Sequence, residues 1–224
     1  MTFVLAYGNQ DVVGQVSDRR LTDETGRPRV LPENKATVLT LADARLIRGF
    51  AGLARAGRFR TGEWILDALL SAAADDHQAL GAVERFIEIA TKRFREADLA
   101  AVPPEGRGLS LVFTGFRDVP GERHPLIAAL VTNFQNFETG RDEAPWDEFR
   151  ATYWSVRPGI IDPTYIQRIG QWPAMLPSDE RGLRVALEQR RPPTTLDHMT
   201  VGLVREIAAR PTSRDRVGKE LRLS

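Results

Sequence analysis

The grouping of strand and helix patterns into blocks constrains the fold of this chain most. Short β-prone runs open the sequence at residues 2–7 and 12–16, and two more cover Thr37–Leu41 and Leu46–Ala51. Two helical patterns follow, then two strand patterns, then further helical patterns and a last short strand. Because the helices come in blocks and do not alternate singly with strands, the order favours an α+β fold, with antiparallel sheets covered by helices.

Two of the strand pairs are predicted to be hairpins. Gly8-Asn9-Gln10-Asp11 has the composition of a turn and joins the first two strands. Asp118-Val119-Pro120-Gly121 likewise separates the strand patterns Leu109–Phe116 and Leu126–Phe134. Residues 22–34 and 138–150 are rich in charged and turn-forming residues and are predicted to be loops. A short strand is expected at Thr152–Val156.

The helical patterns give a predicted buried face for each helix. In the segment Arg58–Ala74, apolar residues recur at helical spacing at Leu66, Leu69, Leu70 and Ala73. The second helix has the face Val83, Phe86, Ile87, Ala90 and Phe94. Two later helices are centred on Leu183–Leu187 and Leu196–Ile207, with Pro192-Pro193 between them. The last predicted strand covers Arg216–Leu221.

Composition excludes several classes of function. Hydrophobic residues make up 42% of the 224 residues and charged residues 27%, which is typical of one folded globular domain spanning residues 1–224. The formal net charge is only +1, so no overall field favours nucleic acid or a membrane surface. With no cysteine and no apolar run of spanning length, the chain is expected in the cytoplasm.

The start of the sequence offers an unusual nucleophile. Initiator methionine is commonly removed when a small residue such as Thr2 follows it. A terminal threonine carries a hydroxyl nucleophile beside a free α-amine, whose pKa of about 8 allows it to act as a general base. A nearby cation would lower the pKa of that amine, and a carboxylate would hold the cation in place. Lys35 and Asp18 are residues of these types.

The sequence resembles proteasome β-subunits of the N-terminal nucleophile hydrolase superfamily, and more closely the proteasome-like peptidase of the bacterial heat-shock protease. Asp18 and Arg20 follow Thr2 at the spacing that family uses, and Lys35 precedes a strand at nearly the family's position. The motif Leu46-Ile47-Arg48-Gly49-Phe50-Ala51-Gly52 is also similar. The similarity covers roughly residues 2–100 and is weaker beyond.

This resemblance implies a four-layer αββα sandwich and a threonine-type hydrolase of peptide or other amide bonds. Thr2 would be the nucleophile, Lys35 the cation and Asp18 its partner, with Arg20 in the same catalytic set. The backbone N–H of Gly52 would stabilise the oxyanion. No metal or organic cofactor is implied. The expected form is a homo-oligomer, as a ring in family members, with no nucleic-acid or membrane partner.

Two departures from the family pattern leave alternatives open. Gln171 stands where the family has a serine that supports the terminal amine, and Arg210 stands at the place of an aspartate. Gln171 and its neighbour Trp172 are candidates for lining a substrate pocket. One alternative function is therefore a proteasome-like scaffold or assembly protein without peptidase activity. Another is an amidohydrolase acting on small amides.

Overall fold

The computed structural model describes residues 3–18, 35–118, 120–121, 126–137, 142–156, 164–170, 175–210 and 221–223. In chain order the strands are β1 (Phe3–Gly8), β2 (Val13–Asp18), β3 (Ala36–Thr40), β4 (Ala44–Gly52), β5 (Arg55–Ala56), β6 (Phe59–Arg60), β7 (Leu109–Arg117), β8 (Leu126–Thr132), β9 (Arg150–Val156), β10 (Tyr165–Gly170) and β11 (Leu221–Leu223). The helices are α1 (Thr61–Asp75), α2 (Ala79–Glu96), α3 (Pro177–Glu188) and α4 (Pro193–Ala209).

The strands form two main antiparallel sheets. The smaller sheet has the order β10-β1-β2-β11, and the larger has the order β3-β4-β7-β8-β9. Both predicted hairpins, β1–β2 and β7–β8, are present as neighbouring strands. In the first, the Oδ1 atom of Asn9 accepts from the N–H groups of Asp11 and Val12, at 2.8 and 2.9 Å. This side chain closes the turn locally, as asparagine commonly does.

Three buried apolar clusters define the layers. One cluster lies between the larger sheet and the pair α1 and α2. Another lies between the smaller sheet and the pair α3 and α4. The third joins the facing sides of the two sheets. The order of layers is therefore helices, sheet, sheet, helices, and the expected α+β fold is confirmed.

The predicted buried face of α1 is right at Leu69 and wrong at Leu66 and Leu70, whereas that of α2 is confirmed at four of its positions. Leu66 and Leu70 are 43% and 64% exposed, and the residues turned inward are Thr61, Ile65, Ala68, Leu69 and Ala72. Both sets have helical spacing, so the sequence period does not distinguish them. In the fold, small alanines on the inward face let the helix approach the sheet closely.

The second half of the chain differs from prediction in its strands. β10 was not predicted, although it pairs along its whole length with β1. β9 begins at Arg150, earlier than expected. The last strand begins at Leu221, where the predicted strand ended. Residues 216–220 of the predicted strand lie outside the described residues. The first predicted loop, residues 22–34, also lies outside them.

Within the described ranges, none of the helices has the length and apolar character needed to cross a membrane.

Candidate functional site

The start of β1 lies where strands of the smaller sheet end. Phe3, the first residue of β1, pairs with Gly170, the last residue of β10. On the other side Val4 pairs with Ser17, so the next position of β2 beside the start of β1 is Asp18. The residue that precedes Phe3 in the chain is Thr2, which is outside the described residues.

An ion pair joins this strand end to the larger sheet. The Lys35 Nζ atom donates to Asp18 Oδ1 at 2.7 Å, and both side chains are 0% exposed. Asp18 ends β2, and Lys35 stands immediately before β3. Desolvating two charges costs several kcal/mol per ion, which close pairing and further hydrogen bonds must offset. Such a pair is weak evidence for stability and raises the question of a chemical role.

The end of β4 lies beside the start of β3 and extends past it. Ala36 pairs with Gly49, and β4 continues three further positions, to Gly52. Gly52 is exposed, whereas Ala51 and Leu53 on either side are buried. Its φ is +114°, and a Cβ there would overlap the carbonyl oxygen of Gly108. This position therefore requires glycine and leaves its backbone open to approach.

A shared apolar cluster brings the two sheets together behind these groups. Val4 of β1, Ala51 of β4 and Ile169 of β10 all belong to the buried cluster between the sheets. Each lies within two residues of a strand end named above. Because Lys35 precedes Ala36, the partner of Gly49, and contacts Asp18 beside the start of β1, the start of β1, the ion pair and the end of β4 lie at the same side of the two sheets.

The predicted site residues fall into three groups. Asp18 and Lys35 are in direct contact, and Gly52 lies at the adjacent strand end. Four others, Thr2, Arg20, Gln171 and Trp172, lie outside the described residues.

Arg210, by contrast, has a described role away from this edge. It donates to Asp179 at 2.6 and 3.1 Å, tying the end of α4 to the first turn of α3. This hydrogen-bonded guanidinium holds the pKa of Asp179 below its ordinary value. Arg210 thus takes part in a helix-to-helix contact.

Two polar residues near this edge were not predicted. Arg48 on β4 is 2% exposed, donates to Thr37 Oγ1 at 2.9 Å, and has its guanidinium carbon 5.6 Å from the centre of the Phe50 ring. The position of Arg48 inside an apolar run of the sequence could have identified it as a buried polar residue. Asn133, after β8, is also buried and bonds to the backbone of Arg107 and of Leu109, the first residue of β7. No motif marks an asparagine of that kind.

Comparison with solved structures identifies the fold. The structure of Anbu (ancestral beta-subunit) from Yersinia bercovieri matches with a TM-score of 0.60 and 15% sequence identity, over 99% of this chain and 80% of that one. An Anbu (Gly-1) mutant from Hyphomicrobium sp. strain MC1 matches with a TM-score of 0.49 and 11% identity, over 100% of this chain and 80% of that one, which is too distant to carry an argument. No protein-family model and no curated protein matches the chain.

At this identity the likeness shows the fold alone, which is the proteasome-like N-terminal nucleophile fold. The expectation of a closer relation to the peptidase of the bacterial heat-shock protease is wrong. The matching structure from Yersinia bercovieri is that of an Anbu protein, and the sequence motifs quoted above are too general to separate such relatives.

Proposed function

We propose that this chain is a threonine-type N-terminal nucleophile hydrolase that cleaves peptide or other amide bonds. Thr2 becomes the nucleophile once whatever precedes it has been removed. The observation that carries the proposal is the fully buried Asp18–Lys35 pair beside the start of β1, which is the strand that Thr2 immediately precedes.

The buried pair supplies what a terminal threonine needs. An ammonium near the α-amine favours the unprotonated amine, and the Asp18 carboxylate fixes the position of the Lys35 ammonium at 2.7 Å. In a site closed to water, these charges act more strongly than at the surface. Arg20, two residues after Asp18, is proposed to belong to the same catalytic set.

The proposed reaction proceeds in two steps. The Thr2 hydroxyl gives its proton to the α-amine and attacks the carbonyl carbon, and the Gly52 N–H stabilises the oxyanion. The C–N bond then breaks, and the proton passes to the leaving amine. A water molecule next attacks the ester, which releases the carboxylic acid and restores the threonine. Gln171 and Trp172, which follow Gly170 directly, are proposed to line the substrate pocket.

The competing function is a proteasome-like scaffold without hydrolase activity. Gln171 in place of a serine and the engagement of Arg210 with Asp179 favour it. A small-amide hydrolase would use the same nucleophile, so only a substrate panel of peptides and small amides separates it from a peptidase.

The proposal is tested by intact-mass spectrometry with a β-lactone that acylates threonine. We expect the chain to begin at Thr2 and to gain one adduct, mapped to Thr2 by peptide sequencing. A Thr2→Ala variant should gain none. Residues retained before Thr2, together with no adduct in the wild type, would reject hydrolysis and favour the scaffold.

We also propose that the protein forms a homo-oligomer, as the fold relationship suggests. A groove of about 260 Å³ between β3 and α1 supports this, since Val38, Leu66 and Leu70 at it are 61%, 43% and 64% exposed. Within the described residues no strand covers the outer edge of β3. A second copy of the chain is the proposed occupant. Sedimentation equilibrium of the wild type and of Leu70→Glu would test this, and a monomeric wild type would reject it.

A further inference from the structure

Asn133 ties three backbone segments together near the end of β4. Its side chain is 0% exposed, and Oδ1 accepts from Leu109 N–H at 2.8 Å. Its Nδ2 atom donates to the carbonyls of Arg107 and Trp146, both at 3.2 Å. The N–H of Asn133 also donates to Leu109 O at 3.2 Å. The side chain therefore holds the chain on both sides of Gly108.

Gly108 in turn fixes the strand end that carries Gly52. The carbonyl of Gly108 accepts from Leu53 N–H at 2.8 Å, and Leu109 pairs with Gly52 in the ladder. From the other side, Thr61 at the start of α1 donates through Oγ1 to Leu53 O at 2.5 Å. The N–H and the carbonyl of Leu53 are thus both hydrogen-bonded. Gly52, directly before it, has a φ of +114°.

We propose that Asn133 is a positioning residue for the backbone N–H of Gly52. By fixing the direction of the Gly108 carbonyl, Asn133 fixes the Leu53 peptide and hence the orientation at which Gly52 presents its N–H. A donor aimed in advance at an oxyanion acts without reorganisation, so a small rotation weakens it. The catalytic part of this inference rests on the proposed hydrolase function, whereas the geometric part does not.

The chain offers a matched control for Asn133. Asn9 is 2% exposed and has the same kind of role in the β1–β2 turn, where Nδ2 donates to Leu187 O at 2.8 Å. Its Oδ1 accepts from two backbone N–H groups. Changing either asparagine to aspartate keeps the acceptor and removes buried donors. Asn9→Asp removes one such hydrogen bond and Asn133→Asp removes two, so both variants place a penalty of the same kind at different places.

The test compares Asn133→Asp and Asn9→Asp by two measurements. The first is amide hydrogen exchange at Leu53, which we expect to rise at least tenfold in Asn133→Asp and to stay within twofold of the wild type in Asn9→Asp. The second is acylation by the β-lactone. We expect its maximal rate to fall at least tenfold in Asn133→Asp, with its KI within twofold, and to be unchanged in Asn9→Asp.

The outcomes separate this inference from the proposed function. Equal effects of the two variants on Leu53 exchange, or no effect of Asn133→Asp, would overturn the positioning role. A wild type that the β-lactone does not acylate would reject the hydrolase while the exchange comparison still decides the geometry. If Asn133→Asp does not fold, Asn133→Ser, which introduces no charge, is measured against Asn9→Ser with the same criteria.

Discussion

Two aspartate–cation pairs of almost equal length stand in different surroundings. Lys35 meets Asp18 at 2.7 Å with both side chains 0% exposed, and Arg210 meets Asp179 at 2.6 Å with side chains 21% and 13% exposed. The first pair joins two sheets at the edge where β1 begins. The second joins the end of one helix to the start of another.

The difference in burial distinguishes the pair with a proposed chemical role from the pair with a structural one. Asp179 also accepts from Leu176 N–H at 2.8 Å, so the Arg210 pair reinforces the start of α3 with a carboxylate that already caps it. Water still reaches both partners, which keeps the desolvation cost small. The Lys35 pair lacks this advantage, since well-packed apolar residues of similar volume are often as stable as a fully buried pair of charges. Its presence is better explained by the role proposed for it at the start of β1.

The largest effects should come from breaking the buried pair. Asp18→Asn or Lys35→Met leaves one charge or donor buried without its partner, and each should lower the free energy of unfolding by about 3 to 5 kcal/mol. Each should also abolish acylation of Thr2. Urea unfolding and β-lactone labelling measure the two effects.

The double variant Asp18→Leu/Lys35→Met sharpens the comparison. With apolar residues at both positions, neither charge of the pair is buried without the other, so we expect much of the lost stability to return while labelling stays absent. Recovery of labelling along with stability would show that the pair serves the fold alone.

A smaller effect is expected at the end of β4. In Gly52→Ala the new Cβ meets the Gly108 carbonyl at a φ that L-residues rarely adopt, which should cost roughly 1 to 3 kcal/mol and slow acylation at least tenfold. Gly57→Ala is the control, because Gly57 also has a positive φ of +54° but no atom within 4 Å of the added Cβ. A loss of acylation in Gly57→Ala equal to that in Gly52→Ala would argue against a role for the Gly52 backbone.

The smallest effect should follow from the helix-to-helix pair. Arg210→Ala should lower the free energy of unfolding by about 1 kcal/mol at neutral pH and leave acylation unchanged. Because Arg210 lowers the pKa of Asp179, this stabilisation is present above the unfolded pKa of about 4 and is lost as pH falls through the folded pKa. Wild type and variant should therefore converge in stability toward pH 2, as followed by thermal unfolding. A difference that persists there would assign the effect to packing.

Some elements could be predicted from residues close together in the sequence, and others could not. The β1–β2 hairpin followed from its turn residues, and Asn9 closes that turn as expected of its type. The inward face of α1 was predicted correctly only at Leu69, because Leu66 and Leu70 satisfy the helical period as well as Ile65 and Ala68 do. β10 was missed because polar Gln167 and Arg168 interrupt it, and its pairing with β1 comes from distant sequence.

The site shows the same division. Asp18 and Lys35 could be named in advance because Asp18 matches a known spacing and Lys35 nearly matches it, and the structure places them in contact. Asn133 could not, since its partners are backbone groups of residues 107–109 and Trp146, which no pattern in the sequence connects to it. Positions that act through the backbone of other segments become visible only after folding.

The place of β1 between β10 and β2 limits how this protein can change over time. All six residues of β1 pair with β10, and five of them also pair with β2. An inserted or deleted residue within Phe3–Gly8 would exchange the inward and outward faces of every residue on one side of the change. It would also move the start of the strand by about 3.3 Å relative to Lys35. Length changes in this chain should therefore be tolerated in the connections between strands and not within this strand.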